Sequence, residues 1–228
     1  MISAEHARPR RNIEAEHLSK IWRIDLNTAK ITLDAISQHN TTHPESNLTG
    51  SFTTNDRMLW YKRIKEHFFM DNFFATINME KYLRGSRCCQ LFLTDKGFVY
   101  VVPMKSKNKD DILSALKQLK KEIGVPEVII CDGSGEQTAI EVKKYCGDIG
   151  TTLRILEEGT PWSNTSELYI GLIKESVGKY TKETDSPLVL WEYCAEKRSR
   201  INNLTAKKLI QLHGSTPQIV ITSEEGGT

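Results

Sequence analysis

The chain has 228 residues, of which 39% are apolar and 26% charged, a balance that excludes wholesale disorder and predicts one full domain with a small appendage. Its 31 basic and 29 acidic residues leave a net charge of +2, so any affinity for nucleic acid has to come from local basic stripes. No run of 18 apolar residues is present, which excludes a membrane-spanning helix of the ordinary kind, and the polar start Met1–Arg11 is not expected to act as a secretory signal. Five cysteines (88, 89, 131, 146 and 194) form an odd set without a C-x-x-C pair, arguing against a disulfide framework and a zinc ribbon and for an intracellular setting.

Residues 14–36 carry helical spacing in two pieces. Ala15, Leu18, Ile21 and Trp22 share one face, and Ala29, Leu33 and Ile36 a second, with Asp25 or Asn27 as the cap between them. Such a pair forms either a helix-turn-helix unit or a plain helical hairpin packed on the main domain. Residues 37–56, rich in Ser, Thr, Asn and His, read as a linker. The spacing then predicts strands over Phe68–Phe74, Arg87–Thr94 and Gly97–Met104, the last two joined by an Asp95-Lys96-Gly97 turn. Ile112, Leu113, Leu116, Leu119 and Ile123 mark an amphipathic helix over Asp110–Ile123, closed by Gly124. A strand follows at Pro126–Cys131, a helix at Gln137–Tyr145, a strand at Thr151–Leu156, and helices at Asn164–Tyr180 and Leu188–Asn203. Three antiparallel strands followed by parallel crossovers predict an α/β fold with a mixed five-stranded sheet of the ribonuclease H type, flanked by helices. The division expected is 1–56 for the helical N-terminal region and linker, 57–205 for the core, and 206–228 for a tail.

Two carboxylates sit where strands disfavour them: Asp71 inside Phe-Phe-Met-Asp-Asn-Phe-Phe, and Asp132 at the end of Val-Ile-Ile-Cys-Asp. An apolar strand makes an ionised carboxylate costly unless something compensates it, and a divalent cation is one solution. A cap or turn is the other reading of Asp132, since Asp132-Gly133-Ser134-Gly135-Glu136 has turn chemistry. A third carboxylate, Glu167, follows Pro161-Trp162-Ser163-Asn164 in the first turn of a helix. Positions 132 and 167 leave 34 residues between them, enough for a helix, a strand and a loop that return to the same sheet edge.

Four stretches carry a resemblance: Phe69–Phe74, Val99–Lys107, Cys131–Glu136, and Gly159-Thr160-Pro161-Trp162-Ser163-Asn164 through Glu167. In this order and at these spacings they resemble the catalytic core of retroviral and retrotransposon integrases, the D,D-35-E family, with copia-type elements nearest. Three departures stand out. The interval before Glu167 holds 34 residues where the family has 35, and Asn164-Thr165-Ser166-Glu167 is one residue shorter than the family's Asn-Gly-x-x-Glu, with Glu175 or Glu158 as substitutes should Glu167 be misplaced. Upstream, His39 and His43 lack partner cysteines, so no zinc site is expected.

The resemblance implies a two-metal polynucleotidyl transferase that performs 3′-end processing and strand transfer of element DNA into target DNA. Asp71, Asp132 and Glu167 would be both the catalytic residues and the ligands of Mg²⁺ or Mn²⁺, with DNA and further copies of the chain as partners and the nucleus or a virus-like particle as the setting. DNA contacts are expected at Lys174, at Lys105 and Lys107 with Lys109, at the Lys197–Arg200 cluster, and at Trp162 through base stacking. Two rival readings are a ribonuclease H-superfamily nuclease and an inactive integrase-derived DNA-binding module.

Overall fold

The computed structural model describes residues 14–42, 63–74, 83–156, 161–206, 212 and 214–223. Helices α1 (Ala15–Trp22) and α2 (Leu26–Thr42) precede strands β1 (Arg63–Phe74), β2 (Cys88–Thr94) and β3 (Val99–Met104). Helix α3 (Lys109–Glu122), β4 (Val125–Cys131), α4 (Ile140–Asp148) and β5 (Thr152–Ile155) follow. Helix α5 (Pro161–Thr184), a 3₁₀ turn at Leu188–Leu190, α6 (Trp191–Leu204) and α7 (Pro217–Ser223) complete the order. Among the described residues no helix is long and apolar enough to cross a membrane.

The five strands form one mixed sheet in the order β3-β2-β1-β4-β5. The first three pair antiparallel, while β4 pairs parallel to β1 and β5 parallel to β4. Side-chain alternation splits the core into two layers. Phe68 and Met70 of β1 face one way and bury with Ile112, Leu116 and Leu119 of α3 and Val142 and Cys146 of α4. Phe69 and Phe73 face the other way and bury with Ile173 and Val177 of α5 and Trp191, Cys194 and Ala195 of α6. The five cysteines are all buried and unlinked.

Local chemistry accounts for the boundaries. Asp25 caps α2, its carboxylate accepting from the Thr28 backbone N at 2.9 Å and the Thr28 hydroxyl at 2.5 Å. Asn108 caps α3 by accepting from Asp111 N at 2.8 Å. Pro161 opens α5, a position where its missing N–H costs nothing. Three differences from the sequence expectation have physical reasons. Strand β1 begins at Arg63 rather than Phe68, because Ile64 and the buried Glu66 alternate inward there. Helix α4 begins at Ile140 rather than Gln137, since Gln137 N and Thr138 N are held in a turn by the Ser134 carbonyl. The stretch from Leu188 starts as a 3₁₀ turn, with α6 proper from Trp191.

The N-terminal pair docks on the core. The buried Thr32 hydroxyl of α2 accepts from Ala206 N at 2.9 Å, and Arg23 pairs with Glu183 at the end of α5. Ile21, expected on the inward face with Leu18, is 57% exposed; the docked stripe runs through Leu18 instead.

At the sheet end where β1 starts, Glu66 is 8% exposed and ion-paired with Lys96 of the β2–β3 turn. Burial pushes its carboxyl up to about 7, and the neighbouring Asp95 adds to the rise against the pull of Lys96. A carboxyl raised in the folded state stabilises below its unfolded value, and that contribution is lost as pH climbs from about 4.5 through 7. Thermal melts across pH 5–8 are expected to show wild type losing stability, and Glu66→Gln melting above wild type at pH 8 with the gap closing at pH 5.

Candidate active site

The register of β1 and β4 sets the site. Phe69 stands opposite Ile130 and Met70 opposite Cys131, so Asp71, inside β1, and Asp132, just past the end of β4, follow as neighbours on two parallel strands. By alternation both fall on the side of Phe69, Phe73 and Ile130, the side α5 covers. Helix α5 buries Ser166, Ile173 and Val177 against that layer, which leaves Glu167 on its flank. The three carboxylates line one open cavity of about 580 Å³, together with Lys107 and Lys174.

Each wall is held from behind. The carboxylate of Asp132 accepts from Ser134 N at 3.0 Å, and Gly133 between them has φ +85°. A side chain at 133 would put its Cβ 2.9 Å from the Ile155 Cγ2, so glycine is demanded here by both conformation and space. Leu156 N donates to the Cys131 carbonyl at 2.8 Å, fixing the end of β5 beside Asp132. The Asp71 carboxylate accepts from Asn72 N at 2.7 Å, and its main-chain carbonyl accepts from the Gln90 side-chain amide at 2.8 Å.

Burial raises the Asp71 carboxyl above the ordinary carboxylate range; the Asn72 backbone N–H opposes this, while the charges of Asp132 and Glu167 push it further up and Lys107 pulls it down. Three acidic groups are thus close enough to feel one another. Among the described residues no three His, Cys, Asp or Glu side chains are gathered into a preformed metal cage. The donor set nonetheless fits a hard divalent cation in kind: all-oxygen ligands, mutually repelling, open to one cavity.

The other expected residues distribute unevenly. Lys107 Nζ lies 4.5 Å from the Phe74 ring centroid and Lys174 Nζ 5.9 Å from that of Phe73, both at the cavity. Lys105 is exposed and outside its lining, and Lys109 is ion-paired with Glu141. Trp162 falls in the first turn of α5, but its side chain lies outside the described residues, as do those of His39 and His43. Of the substitutes for Glu167, Glu175 pairs with Lys179 at 2.5 Å on an exposed face and Glu158 is outside the described residues. Gln90 was not singled out by sequence: it is fully buried, and the one signal was a lone amide inside the run Cys-Cys-Gln-Leu-Phe-Leu.

The sheet order and the two helical layers define an α/β domain with the ribonuclease H-like fold. Solved structures similar to it include integrase catalytic core domains and an intasome. The HTLV-2 integrase catalytic core domain in complex with magnesium is 17% identical with a TM-score of 0.53, covering 68% of this chain and 95% of that one. The catalytic core domain of BIV integrase is 17% identical with a TM-score of 0.55, over 71% and 96%. A simian T-cell lymphotropic virus intasome in complex with PP2A regulatory subunit B56 gamma is 17% identical with a TM-score of 0.58, over 84% and 76%. What the chain shares with them is the fold. No family sequence model and no curated protein sequence matches the chain.

Proposed function

We propose that the chain is a polynucleotidyl transferase of the integrase kind, D,D-35-E in pattern and copia-type in affinity, which processes 3′ ends of element DNA and joins them to target DNA. The observation that carries this reading is the β1–β4 register, which sets Asp71 beside Asp132 on the side from which Glu167 enters the same cavity. Asp71, Asp132 and Glu167 would hold Mg²⁺ or Mn²⁺. When bound, the cation supplies activation of a water or 3′-hydroxyl and neutralises charge on the leaving oxygen. Lys107 and Lys174, at the cavity wall, would orient the scissile phosphate, and Lys174 stands two turns beyond Glu167 on the same flank of α5. Several copies acting together on DNA ends belong to the same reading.

The test is resolution of a labelled branched DNA with Mn²⁺ by wild type, Asp132→Asn and Glu167→Gln. Resolution by wild type alone is expected. Resolution by Glu167→Gln as well removes Glu167 from the site, and DNA binding without resolution by wild type overturns the catalytic reading in favour of a binding module.

A further inference from the structure

A basic groove lies on the opposite flank of α5. Ser176 is nine residues beyond Glu167, half a turn round the helix at 100° per residue. There two adjoining cavities of about 220 and 300 Å³ open between α1, α5 and α6, and they share Ser176, Arg198 and Ile201. Arg23, Lys179, Lys197 and Arg198 line the second against a single carboxylate, Glu183. Three of these cations are engaged: Arg23 with Glu183, Lys179 with Glu175, and Lys197 Nζ with the Tyr180 hydroxyl at 2.7 Å.

Arg198 is not. It is half-buried, its Nε is shielded from solvent without a hydrogen-bond partner, and among the described residues it forms no ion pair. Burial holds its guanidinium below the ordinary arginine range, yet arginine stays protonated in proteins. A charge in that position is costly unless an anion completes it. The fork of donors matches phosphate, and the surrounding cations add a field of the same sign.

We propose that Arg198 centres a phosphodiester site, in which the groove between α1, α5 and α6 takes a backbone phosphate of nucleic acid outside the carboxylate cavity. This rests on the DNA-acting reading above and deepens it: the chain would hold a second stretch of backbone on the far side of α5.

The test uses the full chain, wild type and Arg198→Gln, with a labelled short DNA duplex titrated at several salt concentrations. Loss of one phosphate contact is expected to make the salt slope of log K shallower by about 1 and binding roughly tenfold weaker near 0.1 M salt. Without DNA, Arg198→Gln should melt at or above wild type, since an unpaired charge is gone, and inorganic phosphate should raise the melting temperature of wild type more than that of the variant. An unchanged slope and affinity in Arg198→Gln overturns the site while the proposed function stands. A wild type that binds no duplex overturns both, and an Arg198→Gln that melts well below wild type makes Arg198 a structural residue and ends the proposal.

Discussion

Asp71→Asn is expected to lose metal-dependent DNA cleavage by at least about a hundredfold, the scale seen when one preorganised electrostatic group is removed from a site, while gaining folding stability. The two effects share a cause. The carboxyl is held above its ordinary range by burial and by the charges of Asp132 and Glu167, so at neutral pH the folded state strains against its ionisation. The amide keeps the oxygen that accepts from Asn72 N and sheds the charge. A raised carboxyl stabilises the fold below its unfolded value and loses that contribution as pH rises, so the advantage of the amide should grow from pH 5 to pH 8 in metal-free melts. Divalent cation should work against that advantage: at tenfold over its dissociation constant it should stabilise wild type by about 1.4 kcal/mol and leave Asp71→Asn unmoved. Equal metal-induced shifts in the two proteins would remove Asp71 from the ligand set.

Trp191→Ala is expected to cost about 3–5 kcal/mol, or roughly 10 °C in melting temperature for a chain of this size. Trp191 is 2% exposed at the start of α6, and its ring meets Phe73 edge-on at 6.0 Å. Phe73 lies two residues beyond Asp71 on the same side of β1, so this contact is part of the floor beneath the carboxylates. Next along the chain, the fully buried Glu192 accepts from Arg84 N at 2.6 Å, and a collapsed pocket at 191 would loosen that anchor too. Thermal melting checks the size of the loss; a change below about 1 kcal/mol would mean that the layer repacks around the gap.

The parts of this architecture with simple periodicity were readable from sequence. Helix α3 and strands β2 to β4 fall close to where apolar spacing and turn residues put them, and Asp71 and Asp132 announced themselves as charges that apolar strands disfavour. What escaped was every feature whose meaning depends on a distant partner. Glu66 reads as a surface residue until the β2–β3 turn folds Asp95 and Lys96 over it. Gln90 is one polar residue inside a predicted strand until it reaches the Asp71 carbonyl. Arg198 reads as one cation in a cluster until α1 and α5 close round it. The one-residue shortening before Glu167 was legible, but not its outcome: α5 starts at Pro161, early enough to bring Glu167 to the cavity.

One contact at the sheet's margin has a bearing on how the molecule behaves at high concentration. Asn203, buried on α6, accepts from Val99 N at 2.7 Å and donates to Val99 O at 2.6 Å, so one side-chain amide satisfies both ladder groups of that residue on β3. A strand at the margin of a sheet is a template for another chain's backbone, and proteins that must stay unaggregated blunt it. Here a helix does the blunting at Val99, and Pro103 of the same strand, which has no N–H to offer, adds to it. At Val99 the main chain has no donor or acceptor left for a further strand, so β3 is a poor template there for the backbone of another copy.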